Sequence, residues 1–311
     1  MDRIQEETKE KITKIITQSL YKSALRTYNL IGGFLGGFVI VFFSERDKEG
    51  NLTLNSIFYG ILVFLILWLI ISLFTTLRKL TEELVLVENT DKYGKAIKLL
   101  SFAFADLHEY ERHGKFDLES MVLFFEKFST LLKHTFDDIL PVKCNVCIKI
   151  VVKNEEDINN PRIITFARDL PSKMVREPNS ENSKHFVDNN SCYKHFYTNI
   201  GKKKGDFYLN NNLIKDSKYM NSSHNFYGNL PENCASEGER LENWKLPYKS
   251  ELVVPIVPLN TSDPHKEIIG FLCIDANEIE VFAEKYDPYL LLGTADGIYN
   301  VMKLYYENDK N

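Results

Sequence analysis

Residues 249–258 read KSELVVPIVP, and residues 268–276 read IIGFLCIDA. Each is a short run of β-branched and apolar residues bounded by turn-forming residues, so strands are expected over Ser250–Leu259 and Glu267–Ala276. Side chains alternate along a strand, which places Val253, Pro255 and Val257 on one face and Val254 and Ile256 on the other. Both faces are apolar, as for a central strand covered on both sides. Pro255 and Gly270 punctuate the two neighbouring strands.

Upstream, Asp206–Asn210 reads as another strand and Ser191–Asn199 as a short helix. Cys144–Lys153 and Arg162–Arg168 flank an Asn/Asp-rich turn and read as a hairpin. From 117 to 139, Met121, Phe124, Phe125, Phe128, Leu131, Leu132 and Phe136 recur at helical spacing, and Pro141 stops the pattern. Ile97, Leu99, Leu100, Phe104 and Leu107 mark a helix over 93–110, with a break expected at Asn89-Thr-Asp-Lys. A closing helix is expected over Tyr286–Tyr306. Leu170–Lys249 is otherwise a long irregular stretch, which in a compact domain usually has a binding role or is disordered. Strands joined by hairpins, with helices at either end, predict an α+β domain built on an antiparallel sheet.

The last sixty residues carry a family resemblance. A Ser before an apolar strand ending in Val-Pro-Ile (Ser250–Ile256), then Ile269-Gly-Phe-Leu with Asp275, then Phe282 and Asp287 ahead of Thr294-Ala-Asp-Gly-Ile, resembles the C-terminal half of a GAF domain. Ser191-Cys-Tyr-Lys-His-Phe-Tyr-Thr-Asn followed by Asp206-Phe-Tyr-Leu resembles its short helix and middle strand. The resemblance spans residues 117–308, and its motifs mark fold, not catalysis. It implies a module that binds a small molecule (a cyclic nucleotide, tetrapyrrole or metabolite) or serves in dimerisation. The family's cyclic-nucleotide motif and a bilin-attaching cysteine are not recognisable, so ligand and cofactor are left open. The long stretch would cover one sheet face, with Phe186, Cys192, His195, Phe196, Phe207, Tyr227, Trp244 and Tyr248 as candidate pocket lining, an apolar set with a few polar groups. Core packing is the competing role for each of them.

Before this domain the sequence changes character. Thr27–Ser44 and Gly50–Leu77 contain no Asp, Glu, Lys or Arg. The second run has the roughly 20 apolar residues needed to cross a bilayer. A transmembrane hairpin is expected over 27–78, with spans at about 27–44 and 54–77. The assigned order is an amphipathic helix at 1–26, the hairpin, linker helices at 79–116 and the GAF-like domain at 117–311. The N-terminal helix would lie on the inner leaflet or pack on the soluble domain. Lys and Arg cluster before the first span and after the second, so both termini are expected in the cytoplasm. Gly32, Gly33, Gly36 and Gly37 form two overlapping GxxxG patterns, which promote helix packing within the hairpin or between protomers.

Other signals narrow the function. Residues 1–78 are net +2 and the remainder net −7, which argues against a nucleic-acid polymer as partner. The five cysteines are odd in number and scattered, unlike a disulfide framework. Cys144 and Cys147 lie three apart on a strand and so face opposite sides, which argues against a shared metal. Gly-rich phosphate loops, HExxH and GxSxG are missing. The expectation is a non-enzymatic, two-span protein of the cell membrane, embedded in lipid as a homodimer or higher homo-oligomer. Its cytoplasmic domain would sense a small ligand, with a nucleotide among the candidates, and act through oligomerisation of the hairpin. The alternative is a membrane-tethered adaptor with no ligand.

Overall fold

The computed structural model describes residues 54–113, 117–152, 160–180, 185–198, 206–228, 236–258 and 268–308. The chain divides into two compact units, 1–91 and 92–311. In the first unit, the segments expected as an N-terminal helix (1–26) and a first span (27–44), with Gly32, Gly33, Gly36 and Gly37, lie outside the described residues. The segment expected as the second span is helical, as part of helix α1 (Leu54–His113). Its described apolar side chains, among them Phe58, Leu65, Ile66, Leu69, Ile70 and Phe74, are exposed. Among the described residues no helix is long and apolar enough to cross a membrane. Seven side chains between 57 and 68 lie outside that set.

Helix α1 does not break at Asn89-Thr-Asp-Lys, as the sequence predicted, but runs through it. Asn, Thr and Asp are middling helix formers, not breakers, so no residue there forces a stop. Downstream, Ala96, Leu100, Ala103 and Leu107 recur at helical spacing and are buried, so packing holds this part of the helix where propensity alone would not.

The second unit is α+β. Helix α2 (Leu118–Ile139) starts on Asp117, whose carboxylate accepts the Ser120 N–H at 2.9 Å, a standard N-cap. The strands are β1 (Cys144–Val152), β2 (Arg162–Arg168), β3 (His185–Phe186), β4 (Tyr208–Asn210), β5 (Ser250–Ile256) and β6 (Gly270–Ala276). They form one antiparallel sheet in the order β3-β2-β1-β6-β5-β4. The sequence anticipated five of these strands, with β4, β5 and β6 each ending or starting short of the expected bounds, and missed β3.

Helix α2 and the closing helix α7 (Asp287–Asn308) cover one face. There Cys144, Val146, Ile148 and Ile150 of β1, Leu252, Val254 and Ile256 of β5, and Leu272 and Ile274 of β6 meet Phe125, Phe128, Leu132 and Phe136 of α2 and Leu291, Ala295 and Ile298 of α7. Asp287 accepts the Ala283 N–H at 2.7 Å and the Tyr93 hydroxyl at 2.6 Å. Gly270 has a steric reason: a Cβ there would overlap the carbonyl oxygen of Lys149 on β1.

The stretch 170–249 is more ordered than its sequence suggested. It holds helix α3 (Leu170–Ser180), a 3-10 turn at Val187–Asn189, α4 (Ser191–Thr198), the single turn α5 (His224–Tyr227) and α6 (Glu237–Asn243). Pro171 and Pro178 made α3 read as loop. Pro171 sits in the first helical turn, where a missing N–H costs nothing.

Candidate functional site

The second sheet face is where the strands themselves place buried charge. Its apolar part is Cys147 and Val151 of β1, Val253 and Val257, and Phe271 and Cys273 of β6, packed under Cys192, Tyr193 and Phe196 of α4. Beside this patch the same strands present Lys149, Glu251 and Asp275, with Arg168 at the end of β2. Lys149, Arg168 and Glu251 are each under one-tenth exposed. The face is therefore not wholly apolar, as the β5 pattern had suggested, because Glu251 alternates onto it.

The cover over these groups is held by polar contacts. Asp169, fully buried, accepts the Val146 N–H at 2.8 Å and the Ser172 N–H at 2.9 Å, tying the start of α3 to β1. That placement carries Arg176 across the site. Its guanidinium makes two hydrogen bonds to Asp275, at 2.7 and 2.9 Å, and lies 5.2 Å from the Tyr248 ring centre. Burial works against the Arg176 charge, and Asp275 more than offsets it. Asn145 adds a third bond to Asp275, at 2.9 Å.

From β3, the His185 Nδ1 lies 2.5 Å from the Ser222 Oγ. The Ser222 hydroxyl donates to the Asn190 Oδ1 at 3.0 Å, and the Asn190 amide nitrogen is committed to the Phe186 carbonyl. A hydroxyl has one proton, so the proton of the His185 pair belongs to Nδ1 and Nε2 carries the lone pair. Burial holds His185 down to about 3, with Lys149, Arg168 and Arg162 adding to the effect, so the ring is neutral. Asn221 donates to the Tyr219 and Tyr248 hydroxyls, each at 2.8 Å.

Between floor and cover lies a cavity of about 60 Å³. Its floor is Cys147, Lys149, Arg168, Glu251, Val253, Cys273 and Asp275. Its cover is Arg176, His185, Asn190, Cys192, Tyr193, Asn221, Ser223, Tyr227, Pro247 and Tyr248. That volume holds roughly four waters and is well below the ~150 Å³ that admits benzene.

Of the sequence-predicted lining, Cys192, Tyr227 and Tyr248 border the cavity. Phe196 lies in the apolar patch beside it. His195 pairs with Asp206 at 3.1 Å and rests edge-on to Phe196 and Tyr208. Trp244 belongs to a small cluster with Tyr219, Leu246 and Tyr248, its indole N–H donating to the Tyr248 carbonyl at 2.7 Å. Phe186 pairs with Arg162 at the sheet edge. Phe207 packs instead against the helix-covered core and meets Tyr289. These last five do not line the cavity.

The charged residues escaped the sequence reading. One signal was available: Lys149 and Glu251 are the only charges in their strands, each alternating with Cys147 and Val151 or with Val253.

The thiols are part of the floor. Cys147 and Cys273 face one another across β1 and β6, and the structure keeps Cys144, Cys147, Cys192 and Cys273 free. Cys144 and Cys147 do take opposite faces. A hydrogen bond from Cys273 holds Cys147 below the ordinary thiol range, against burial and with help from Arg168 and Lys149. Burial pushes Cys273 and Cys192 up.

No protein-family model and no curated protein matches the chain. Solved structures do. One described as a GAF domain is 14% identical, with a TM-score of 0.41, over 66% of this chain and 88% of that one. The GAF domain of a phosphoenolpyruvate-protein phosphotransferase from Coxiella burnetii is 13% identical, with a TM-score of 0.40, over 70% and 99%. A type II free methionine-R-sulfoxide reductase from Thermoplasma acidophilum is 15% identical, with a TM-score of 0.36, over 61% and 97%. Two of these three structures are described as GAF domains.

Proposed function

We propose that this protein is a membrane-anchored sensor whose GAF-like domain binds a small ligand in the cavity beneath Arg176 and Tyr248 and acts through oligomerisation of its membrane hairpin. The observation that carries the reading is buried charge around a partly covered space. Lys149, Arg168 and Glu251 are each removed from water, which costs free energy unless a partner compensates it. A sheet face that only had to pack would fill with apolar side chains, as the opposite face does. The reading is one of binding and assigns no reaction.

The cavity suits a ligand of a few heavy atoms rather than a nucleotide. The anchor rests on the two charge-free runs and on the exposed apolar side chains of residues 58–77 in α1. The same helix carries the buried Ala96, Leu100, Ala103 and Leu107.

The test is to express the full chain, separate membranes, extract the protein in mild detergent and identify co-purifying small molecules by mass spectrometry. A chain that stays with membranes through alkaline washing and carries a molecule at near-stoichiometric amount supports the reading. A chain released by the wash sinks the anchor. An empty chain that shows no thermal shift with a small-metabolite panel favours the adaptor.

A further inference from the structure

Resting on that reading, we infer that the cavity's ligand is a small oxyanion, a carboxylate or a phosphate, held by Lys149 and Arg168. The argument is a charge balance. Three cations border the cavity: Lys149, Arg168 and Arg176. Arg176 is closed off by its two bonds to Asp275. Among the described residues Lys149 has one hydrogen-bond partner, the neutral Thr165 hydroxyl at 3.1 Å. The Arg168 guanidinium makes no hydrogen bond or ion pair with any described residue. Both side chains come from adjacent strands, Arg168 pairing in register with Cys147 two residues from Lys149. Both residues are 7% exposed.

The remaining groups do not neutralise this pair. His185 is uncharged, its Nδ1 proton engaged with Ser222. Glu251 stands two strands away on β5, across β6, and burial favours its neutral form. A Cys147 thiolate would offset one positive charge and leave the other. A guanidinium has five N–H donors in a fork matched to two oxygens of a carboxylate or phosphate, and none of them is satisfied by the described protein. An oxyanion beside Lys149 and Arg168 supplies the missing acceptors and the missing charge together. A neutral ligand supplies only acceptors, and an organic cation adds to the repulsion.

The experiment uses the full chain in detergent, with thermal unfolding followed against acetate, inorganic phosphate, neutral acetamide and methylammonium at matched ionic strength. Acetamide has the shape of acetate without its charge. The expected result is a saturable rise in Tm with acetate or phosphate, in the millimolar range for so few atoms, and none with acetamide or methylammonium. The two anions separate a planar carboxylate site from a tetrahedral phosphate site. Lys149→Met and Arg168→Met should each weaken the response about 10- to 100-fold, the worth of a charged hydrogen bond, while the exposed Lys218→Met leaves it in place.

A structural role is distinguished by the anion-free protein. Removing an unpaired buried cation should leave Tm unchanged or raise it, whereas a cation that holds the fold together would lower it. Cys147→Ala tests the rival that the cations serve the thiolate: the anion response is expected to persist. Anion responses that survive both methionine variants, or that vanish in Cys147→Ala, overturn the assignment. A co-purified neutral or cationic molecule with no anion response removes the oxyanion and keeps the sensor. An empty chain with no response to any probe removes both.

Discussion

The two faces of one sheet have been built to different rules. On the helix-covered face, every inward position of β5 and β6 from Leu252 to Ile256 and from Leu272 to Ile274 is aliphatic, and α2 answers with Phe125, Phe128, Leu132 and Phe136. On the other face the same strands present Glu251, Cys273 and Asp275, and the cover replies with Arg176, His185 and Asn190. Burial is comparable on both, so exposure does not separate them. What separates them is satisfaction: the first face needs only shape, and the second leaves His185 Nε2 and a carboxyl oxygen of Glu251 without a partner among the described residues. The first face reads as the stabilising one and the second as the responsive one.

Neighbouring residues on β6 test that difference most directly. Leu272 is fully buried on the helix side, and Cys273 is next to it on the cavity side. Leu272→Ala is expected to cost about 2–5 kcal/mol, from lost transfer energy and an unfilled void. Cys273→Ala removes one sulfur bordering an existing cavity and should cost under about 1 kcal/mol. Urea unfolding of both variants decides it, and equal losses would erase the distinction between the faces. A smaller effect is expected from Arg176→Met, about 1–3 kcal/mol, because it leaves Asp275 charged and nearly buried beside Asn145 alone. If that variant proves neutral, the cover is not held by the pair.

The helix face was legible in the sequence and the cavity face largely was not. Alternation through Leu252, Val254 and Ile256 and helical spacing from Met121 to Phe136 identify a core, because dry packing imposes periodicity. The cavity is assembled from β1, β2, β3, β5, β6, α3, α4, α5 and the loops at Asn190, Asn221–Ser223 and Pro247–Tyr248, and nothing in local spacing reports that Arg168 and Lys149 line it together. A single lysine in a strand also looks like a solvent-facing residue until the cover is known. Cys192, Tyr227 and Tyr248 border the cavity, and what drew attention to them was only that aromatic and thiol side chains in a covering segment mark burial in general. Phe207 was misplaced for the same reason: an aromatic next to a strand fits either face, and one residue of register decides which. Helix α3, which carries Arg176, was hidden by its two prolines.

A substitution that keeps the shape asks whether the cavity face carries a cost that varies with pH. Burial pushes Glu251 up to about 8, with Asp275 adding to the rise and Tyr219 opposing it. In the unfolded chain its carboxyl ionises near the ordinary 4.5. Between those values the folded state holds a proton that the unfolded state has lost, so stability falls as pH rises from about 4.5 to about 8. Glu251→Gln removes that dependence while keeping the shape. Any cost of seating the amide is the same at every pH. The difference in unfolding free energy, variant minus parent, should therefore climb steadily across the window, reaching on the order of 2–4 kcal/mol at pH 8 relative to pH 4.5. His185 is depressed, so its contribution is lost as pH falls from about 6.5 towards 3, and being common to both proteins it cancels in the difference. Parallel stability curves would mean that Glu251 ionises freely in the folded protein. It would then stand as a second anion on the floor, opposite the site assigned to the oxyanion.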